Sequence, residues 1–321
     1  MNRRHLIIAA AGATIGSHRL SANAQGKPIQ MVVGFAPGGS IDLLARSVAE
    51  HLQSDLRVPV IVDNRTGAAG RVAVEFVKKA AADGNTLLAA PQGPMTLFPF
   101  VFRRLGYDAV NDFVPISRMA AGDFALTIGP LVPAKDLAGF RGWLKSAGDK
   151  ANYGSPGAGT VPHFVGVTIA RQLGTPMTHV PYRGSVLAIN DVAGGQIAAA
   201  VTPLTEALEL HKAGRIHVVA TTGSERSPFV QGVPTFKENG VDVEAPLWFA
   251  IFAPAGTPTE RHEQLRRSVH GALATTAFRE RADKLGLVPA PSTVAELRAL
   301  QQREMALWKS AVELSGFKPE D

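Results

Sequence analysis

Apolar runs alternate with apolar residues at helical spacing in the first hundred residues. Residues 29–35 form an apolar run, Pro37, Gly38 and Gly39 interrupt it, and apolar residues then recur at helical spacing from 41 to 52. This order predicts a strand, a glycine turn and a helix. The same order predicts a strand at 60–63, a glycine turn at 67–70, a helix at 72–81 and a strand at 86–90.

A second series of the same kind follows residue 113. The predicted strands are 116–120, 124–128, 152–154, 177–180, 197–202 and 216–221, and the predicted helices are 136–147, 162–173, one ending at 193, and 204–213. Residues 223–246 are polar and rich in turn residues, which indicates a long connection. Such alternation favours a parallel sheet in an α/β fold.

The last third of the chain is predicted to be mostly helical. After an apolar segment at 248–253, residues 257–260 form a capping box with proline at the first helical position, and residues 293–296 form a second one. No repeat of 20 to 50 residues and no low-complexity segment is visible in the sequence.

The N-terminus has the pattern of an export signal. Arg3 and Arg4 precede the apolar residues 6–16, and Ala22 and Ala24 are the small residues before a cut at Gln25. The alternative, a membrane anchor, is disfavoured because about 20 apolar residues are needed to cross a bilayer. We therefore expect residues 1–24 to be a signal peptide, removed near Ala24 by either the general or the twin-arginine route.

Charge and cysteine content narrow the possible partners. The formal charge of +6 falls when the signal is removed, because 33 basic residues become 30 against 27 acidic ones. No basic run interleaved with aromatic residues is present, so nucleic acid is not an expected partner. The absence of cysteine excludes thiol chemistry, disulfides and a cysteine-linked lipid anchor. The expected location of the mature chain is therefore outside the cytoplasm, without a cysteine-linked lipid anchor.

Two glycine-rich segments carry the clearest chemistry. Residues 34–42 and 154–163 each run from a strand through glycines into a helix. Glycine allows close approach of a ligand, and the helix start offers unpaired N–H groups at the positive end of the dipole. One such segment in each half predicts an anion held between two lobes. The alternative is a pair of tight turns in which Ser40 and Thr160 simply cap their helices.

Other known site patterns are missing from the sequence. The second segment lacks the lysine of a phosphate-binding loop, and there is no G-x-G-x-x-G, G-x-S-x-G or H-E-x-x-H pattern. We therefore expect no catalytic residues, no metal and no cofactor. Asp42 could be a base or an amine partner, or could complement the helix dipole; His163 fits a packing or capping role. Tyr182 could form a pocket wall and Arg183 could pair with a carboxylate; the alternative is a half-buried Tyr182 and a surface Arg183.

The chain resembles the periplasmic substrate-binding receptors of tripartite tricarboxylate transporters, often called Bug receptors. The resemblance runs through nearly the whole chain after the signal. The matching segments are Phe35-Ala36-Pro37-Gly38-Gly39 with Asp42, Val62-Asp63-Asn64-Arg65 with Gly67-Ala68-Ala69-Gly70, Ala82-Asp83-Gly84-Asn85, Tyr107-Asp108, Asp112-Phe113, Tyr153-Gly154-Ser155 with His163, His179-Val180-Pro181-Tyr182-Arg183-Gly184, Gly194-Gly195-Gln196, Val233-Pro234-Thr235 and Ala253-Pro254-Ala255-Gly256.

The resemblance implies a two-lobed type II periplasmic binding protein fold, with a ligand cleft between two αβ domains. The first lobe would hold residues 25–122 and 247–321, and the second would hold residues 123–246. The implied ligand is a small organic carboxylate, either a di- or tricarboxylic acid or an aromatic acid. The implied partners are the membrane permease subunits of the transporter, and the receptor itself would be a monomer.

The resemblance also implies the ligand contacts. They would come from loops at the strand ends, mostly through backbone N–H groups: Phe35, Ala36, Gly38, Gly39, Ser40 and Gln92 in the first lobe, and Ser155, Gly159, Thr160, Tyr182 and Thr202 in the second. The sequence departs from the family pattern at Thr202-Pro203, at Pro91-Gln92-Gly93 and at Arg183. The missing acid at 202 favours a plain carboxylic acid over a ligand with an amine.

Two other functions remain as alternatives. A secreted α/β hydrolase would need a nucleophile and a base that the sequence patterns do not supply. A ligand sensor for a signalling partner would use the same fold and pocket as a transport receptor, so the sequence does not separate these two.

Overall fold

Strands and helices alternate along residues 27–320, the part of the chain that this computed structural model describes. The predicted signal peptide, residues 1–24, lies outside the described residues. The strands are β1 (Ile29–Val33), β2 (Val60–Asn64), β3 (Thr86–Pro91), β4 (Phe113–Ile128), β5 (Asn152–Ser155), β6 (Thr178–Pro181), β7 (Ala199–Pro203), β8 (His217–Thr221), β9 (Pro246–Pro254) and β10 (Val288–Pro289).

The helices mostly follow the strands in sequence. They are α1 (Ser40–Leu56), α2 (Arg71–Lys78), α3 (Gln92–Thr96), α4 (Phe98–Val101), α5 (Leu137–Leu144), α6 (Val161–Leu173), α7 (Ser185–Ala193), α8 (Leu204–Lys212), α9 (Thr259–Ala274), α10 (Thr276–Lys284) and α11 (Val294–Ser315). Within the range described, no helix combines the length and the apolar character that a bilayer crossing requires.

Two sets of parallel strands confirm the predicted α/β fold. In the first set, β1 lies parallel between β2 and β3. In the second set, β5 lies parallel between β6 and β7. Each of these six strands leads into a helix from its carboxyl end, so the helix starts gather at one edge of each set. Ligands of open α/β sheets bind outside such edges.

Strands β4 and β9 join the two sets. The first part of β4 pairs with β9 from Phe113, opposite Pro254, to Asp123, opposite Pro246, and its second part pairs with β7 and β8. The prediction of two strands at 116–120 and 124–128 is therefore wrong, because β4 is one strand of 16 residues. Gly122 does not interrupt it, since Gly122 pairs with Leu247 in the ladder. The predicted lobe boundary falls inside this strand.

Apolar side chains bury both faces of the sheet. One continuous cluster joins helices α1 and α9 on the first set to α6 on the second. A second cluster surrounds α2 and Trp248, and a third surrounds α7 and α8. The helices thus form a layer on each face, which is the arrangement that buries the apolar sides of a parallel sheet.

Helix α11 connects the two sets of strands on the outside. It packs on α3 and α4 beside the first set and on α6 beside the second. Just past its end, Phe317 packs edge-on against His163 and Phe164 of α6. Glu320 then returns to form a bridge with Phe102, beyond α4. The end of the chain therefore contacts both sets.

One of the two predicted capping boxes is confirmed. The Thr293 hydroxyl accepts from the Glu296 N–H at 3.2 Å, and Glu296 accepts from the Thr293 N–H at 2.8 Å. The prediction at 257–260 is wrong, because α9 begins at Thr259 with Pro258 just before it. The Thr257 hydroxyl instead donates to the Pro254 carbonyl at 2.8 Å and closes the turn after β9.

Candidate functional site

The predicted contact residues all lie at or next to the carboxyl ends of strands. Those of the first set follow β1 and β3 and are Phe35, Ala36, Gly38, Gly39, Ser40 and Gln92. Those of the second set lie at the ends of β5, β6 and β7 and are Ser155, Gly159, Thr160, Tyr182 and Thr202. Strand β4 passes between the two groups, since its residues 122–124 pair beside both β9 and the end of β7.

Helices that begin at these edges have open starts. Among the described residues, no side chain accepts from the first N–H groups of α1, α2, α6, α7 or α8. Of the helices that begin elsewhere, α5, α10 and α11 are capped by Asp136, Thr275 and Thr293, whereas α4 and α9 have no side-chain cap. Uncapped N–H groups and the positive dipole end together favour an anion.

The alternative in which Ser40 and Thr160 are simple caps is not observed. Ser40 is the first residue of α1, and Gly39 stands at the cap position. Thr160 does stand at the cap position of α6, but its hydroxyl donates to the Gly157 carbonyl at 2.7 Å instead of accepting from the helix.

Asp42 braces the first glycine loop, residues 34–39. Its buried carboxylate accepts from the Gly38 N–H at 2.9 Å, from Asn64 Nδ2 at 2.8 Å and from two nitrogens of Arg46 at 3.0 Å. Asn64 also donates to the Phe35 carbonyl at 3.0 Å. Burial opposes ionisation, but the hydrogen bonds from Arg46, Gly38 and Asn64 outweigh it and hold the Asp42 pKa below its usual value. The carboxylate is thus committed to holding the loop.

Gly38 and Gly39 meet different requirements. Gly38 has φ of +88°, which favours glycine, and its N–H is taken by Asp42. Gly39 has φ of −73°, and a Cβ there would lie 3.7 Å from the nearest atom, the carbonyl oxygen of Ala36. The fold therefore requires glycine at 38 for its conformation and places no such demand on 39.

Hydroxyl groups hold the second glycine loop, residues 156–160. Ser155, fully buried, donates to the Gly157 carbonyl at 3.0 Å and accepts from the Gly157 N–H at 3.3 Å. Gly159 has φ of +69°, and its N–H donates to His163 Nδ1 at 3.3 Å. The second loop is therefore held by groups that carry no formal charge at neutral pH.

Two stacked histidines lie against the second glycine loop. The rings of His163 and His179 are 3.8 Å apart between centroids and inclined by 13°. His179 Nε2 lies 2.7 Å from Ser155 Oγ. Burial lowers the pKa of both rings to about 4, and the nearby His163 adds to the shift of His179. The expected packing role of His163 agrees with this stack. The sequence did not indicate that His179 contacts His163, because this contact depends on how β6 and α6 pack in the tertiary structure.

Tyr182 and Thr202 present different groups to the second edge. The Tyr182 hydroxyl donates to Asp191 Oδ2 at 2.7 Å, and burial, followed by this hydrogen bond, raises the pKa of Tyr182 to about 12. Its partly buried ring packs beside Gly154 and against the apolar cluster of α7 and α8. Thr202 is fully buried, and its Oγ1 has no hydrogen-bond partner among the described residues. Exposed Arg183 lies next to Tyr182.

The Gln92 side chain is committed to strand β9. Its Nε2 donates to the Pro246 carbonyl at 2.7 Å, and its Oε1 accepts from the Trp248 N–H at 2.8 Å. Only 1% of Gln92 is exposed. Its side chain therefore ties the end of β3 to the strand that crosses between the two sets, a role that no local sequence signal indicates.

Asp123 is a partly buried acid at the crossing of β4 and β9, and no pattern in the sequence singled it out. Burial raises its pKa to about 6, against a hydrogen bond with Ser227 that lowers it. It lines a cavity of about 420 Å³ together with Arg118 and Arg303. The absence of an acid at position 202 therefore does not by itself mean that the region where β4 and β9 cross has no acid. Over residues 27–320, no group of three or more histidine or acidic side chains is placed to hold a metal.

Comparison with known proteins relates the chain to solute receptors. A family model described as the tripartite tricarboxylate transporter family receptor matches residues 44–317. The protein BugT of Bordetella pertussis is 31% identical over 294 residues, which cover 91% of this chain and 90% of BugT.

Solved structures share the fold over nearly the full chain. A periplasmic transporter is 32% identical with a TM-score of 0.78, covering 91% of this chain and 98% of its own. An R. palustris protein solved with adipate is 28% identical with a TM-score of 0.78, covering 90% and 98%. MatC from Rhodopseudomonas palustris, with bound malate, is 29% identical with a TM-score of 0.74, covering 89% and 98%. The expected periplasmic binding protein fold is confirmed.

Proposed function

The chain belongs to the tripartite tricarboxylate transporter receptor family, and from that premise we propose that it captures a small organic carboxylate in the periplasm for uptake. Its partners would be the membrane permease subunits of a tripartite transporter. The observation that carries this proposal is the pair of uncapped helix starts, α1 and α6, each behind a glycine loop. Both present backbone N–H groups suited to a carboxylate.

Capture would proceed by closure of two lobes. We assign residues 25–122 and 247–321 to one lobe and 123–246 to the other, with β4 and β9 as the crossing strands. A carboxylate first pairs with the helix start on one lobe, and closure then adds the helix start of the other. Buried Thr202 supports this step, because an unpartnered hydroxyl costs about 1–3 kcal/mol until it finds a partner.

Groups that already have hydrogen-bond partners within the protein change which ligand contacts we expect. The N–H of Gly38 and the side chain of Gln92 already have partners, so they shape the site rather than bind ligand. We assign direct contact to the N–H groups around Gly39 and Ser40, to those around Thr160, and to the ring of Tyr182. A ligand of about ten heavy atoms held in this way would reach about −8 kcal/mol, near micromolar affinity.

The substrate class that we propose is a di- or tricarboxylic or aromatic acid. Relatives solved with adipate and malate support a dicarboxylate as the first candidate. A neutral second edge with Thr202 and Tyr182 suits an acid without an amine. Because position 202 carries no acid, amino acids belong in the same screen as ligands that we expect to bind weakly or not at all.

A hydrolase is the alternative that one observation favours. Ser155 Oγ lies 2.7 Å from His179 Nε2, the spacing of a nucleophile and its base. Against this, Ser155 is fully buried and its hydroxyl is bonded to its own loop. We therefore propose a binding role without turnover.

A sensor for a signalling partner would use the same ligand site. A pull-down experiment distinguishes the two functions, because a transport receptor should retain the permease subunits and a sensor should not.

A thermal-shift screen of carboxylates tests the proposal. Ligand at 100 times its Kd should stabilise the fold by about 2.7 kcal/mol, which is a readily measured rise in melting temperature. We expect malate or adipate, or a related acid, to give this rise, with no product detected after incubation. A screen in which no carboxylate shifts the melting temperature would contradict the assignment, and turnover of a hit would favour the hydrolase.

A further inference from the structure

Aromatic side chains pack against the histidine stack, in which His163 is buried and His179 is partly exposed. Tyr153 of β5 lies 5.1 Å from the His179 ring, and Phe164 of α6 lies 4.5 Å from the His163 ring, between centroids. Phe317, past the end of α11, meets His163 edge-on at 5.9 Å. Among the described residues, the titratable side chains in ring contact within the stack are the two imidazoles themselves and Tyr153, whose pKa burial raises.

Each imidazole also contacts the second glycine loop through a ring nitrogen. Nδ1 of His163 accepts from the Gly159 N–H, which requires a lone pair on that nitrogen. The Ser155 hydroxyl donates its proton to the Gly157 carbonyl, so Nε2 of His179 is the donor to Ser155 Oγ. Ser155 also accepts from the Gly157 N–H. A proton added to His163 Nδ1 would point at the Gly159 N–H and break that contact. A charge on either ring would also be desolvated, with no carboxylate among the groups that shift either pKa.

We propose that His163 and His179 are positioning residues that hold the second glycine loop in its ligand-accepting conformation, and that charging His163 releases the loop and weakens binding. This inference rests on the proposed function only in taking that loop as a ligand contact. The coupling of the rings to the loop stands on the geometry alone.

Conservative variants separate positioning from packing. His163→Asn and His179→Gln keep a polar atom near each contacting nitrogen without titrating, whereas His163→Phe and His179→Phe keep a ring and lose the hydrogen bond. At pH 7 we expect each Phe variant to bind malate or adipate at least tenfold more weakly, and the Asn and Gln variants to stay within threefold of the parent. Equal affinity in parent and Phe variants would overturn the proposal.

The pH profile is the readout that a merely structural role would not move. From pH 7 to pH 3.5, we expect the Kd of the parent for the same acid to rise about threefold or more beyond that of the His163→Asn/His179→Gln double variant. Both proteins meet the same ligand protonation, so the difference isolates the imidazoles. His51→Gln, on α1 against α9, is the control and should keep the parental profile. Identical profiles in parent and double variant would overturn the proposal.

A ligand-free experiment separates this inference from the proposed function. In the parent protein, NMR titration should show both imidazoles taking up protons below pH 5, with the amides of Gly157 and Gly159 shifting in the same step. Amides that stay unmoved while the rings titrate would refute the coupling. If the amides move but neither malate nor adipate binds at any pH, the coupling stands and the dicarboxylate assignment fails.

Discussion

The two glycine loops of this protein are braced by opposite chemistry. The first is held by the ionised carboxylate of Asp42, with Arg46 and Asn64 around it. The second is held by Ser155 and a stack of two neutral histidines. Both loops end in an uncapped helix start. The same presentation of backbone N–H groups is therefore supported by an ion pair on one edge and by uncharged rings on the other.

This difference predicts different responses to acid. The Asp42 pKa is lowered, so its brace persists until the pH falls below the usual range of an aspartate. The pKa values of His163 and His179 are lowered to about 4 from an ordinary 6.5. Between these pH values the two histidines are therefore protonated in the unfolded chain but largely neutral in the native state. Stability is then complete above pH 6.5 and declines as the pH falls toward 4. The second loop is the acid-sensitive one.

The largest expected effect is on stability in acid. Each histidine should lower the free energy of unfolding by up to about 3 kcal/mol between pH 6.5 and 4, because one pKa unit corresponds to about 1.4 kcal/mol. Urea denaturation of the parent and of the His163→Asn/His179→Gln double variant at pH 7, 5.5 and 4.5 measures this. The variant should have the flatter dependence. Parallel curves would show that the stack does not set the acid response.

Gly39→Val should have the next largest effect, on binding alone. Its backbone conformation suits any residue and the space around it is open, so the fold should tolerate valine. The branched side chain would cover the start of α1 and weaken carboxylate binding about 100-fold, or about 3 kcal/mol. Calorimetry against malate and adipate measures the loss. Gly142→Val, at an open position in α5, is the matched control. Parental affinity in Gly39→Val would remove the first helix start from the site.

Asp42→Asn should destabilise the first loop by about 2 kcal/mol at pH 7, because it leaves Arg46 without its carboxylate and changes a buried acceptor. Arg46→Met should cost less, since 41% of the Arg46 side chain is exposed and its charge can be solvated in part. Urea denaturation at pH 5 and pH 8 should give the same difference at both, as expected for an aspartate ionised throughout. A loss of stability seen at only one of the two pH values would contradict the view that an ionised Asp42 holds the first loop throughout this range.

The smallest expected effect separates the two glycines of the first loop. Gly38→Ala should destabilise the fold by about 1–2 kcal/mol, because φ of +88° strains a residue with a Cβ. Gly39→Ala should change stability by less than about 0.5 kcal/mol. Thermal melts of the two variants at pH 7 compare them directly. Equal melting temperatures would mean that the conformation of the first loop differs from the one described.

Local pattern was enough to predict most of the elements. Glycine breaks between apolar runs located β1, α1 and the loop between them, and the second series located β5 and α6. The edge at which the predicted contacts lie followed from the rule that ligands meet the carboxyl ends of parallel strands. The short helices α3 and α4 and the two-residue β10 were not predicted, since so few residues show no period.

The hydrogen-bond partners and the burial of individual side chains could not be predicted from local pattern. Gln92 matched a family contact position, yet its amide ties β3 to β9. Asp42 had three possible roles until Asn64, from the next strand, completed its partners. Asp123 was not singled out from the sequence, because nothing in its neighbours along the chain shows that it becomes partly buried at the crossing of the two strand sets.

The sequence by itself determined the α/β alternation, the two glycine segments, the family resemblance and the exclusion of thiol chemistry. These follow from spacing, residue type and turn preference, which act over a few residues. Tertiary structure alone decided that β4 is one crossing strand, that the helix starts at the strand edges are uncapped, and that His163 stacks on His179. Those features depend on contacts between residues far apart in the chain, and a contact of that kind is set by how whole elements pack.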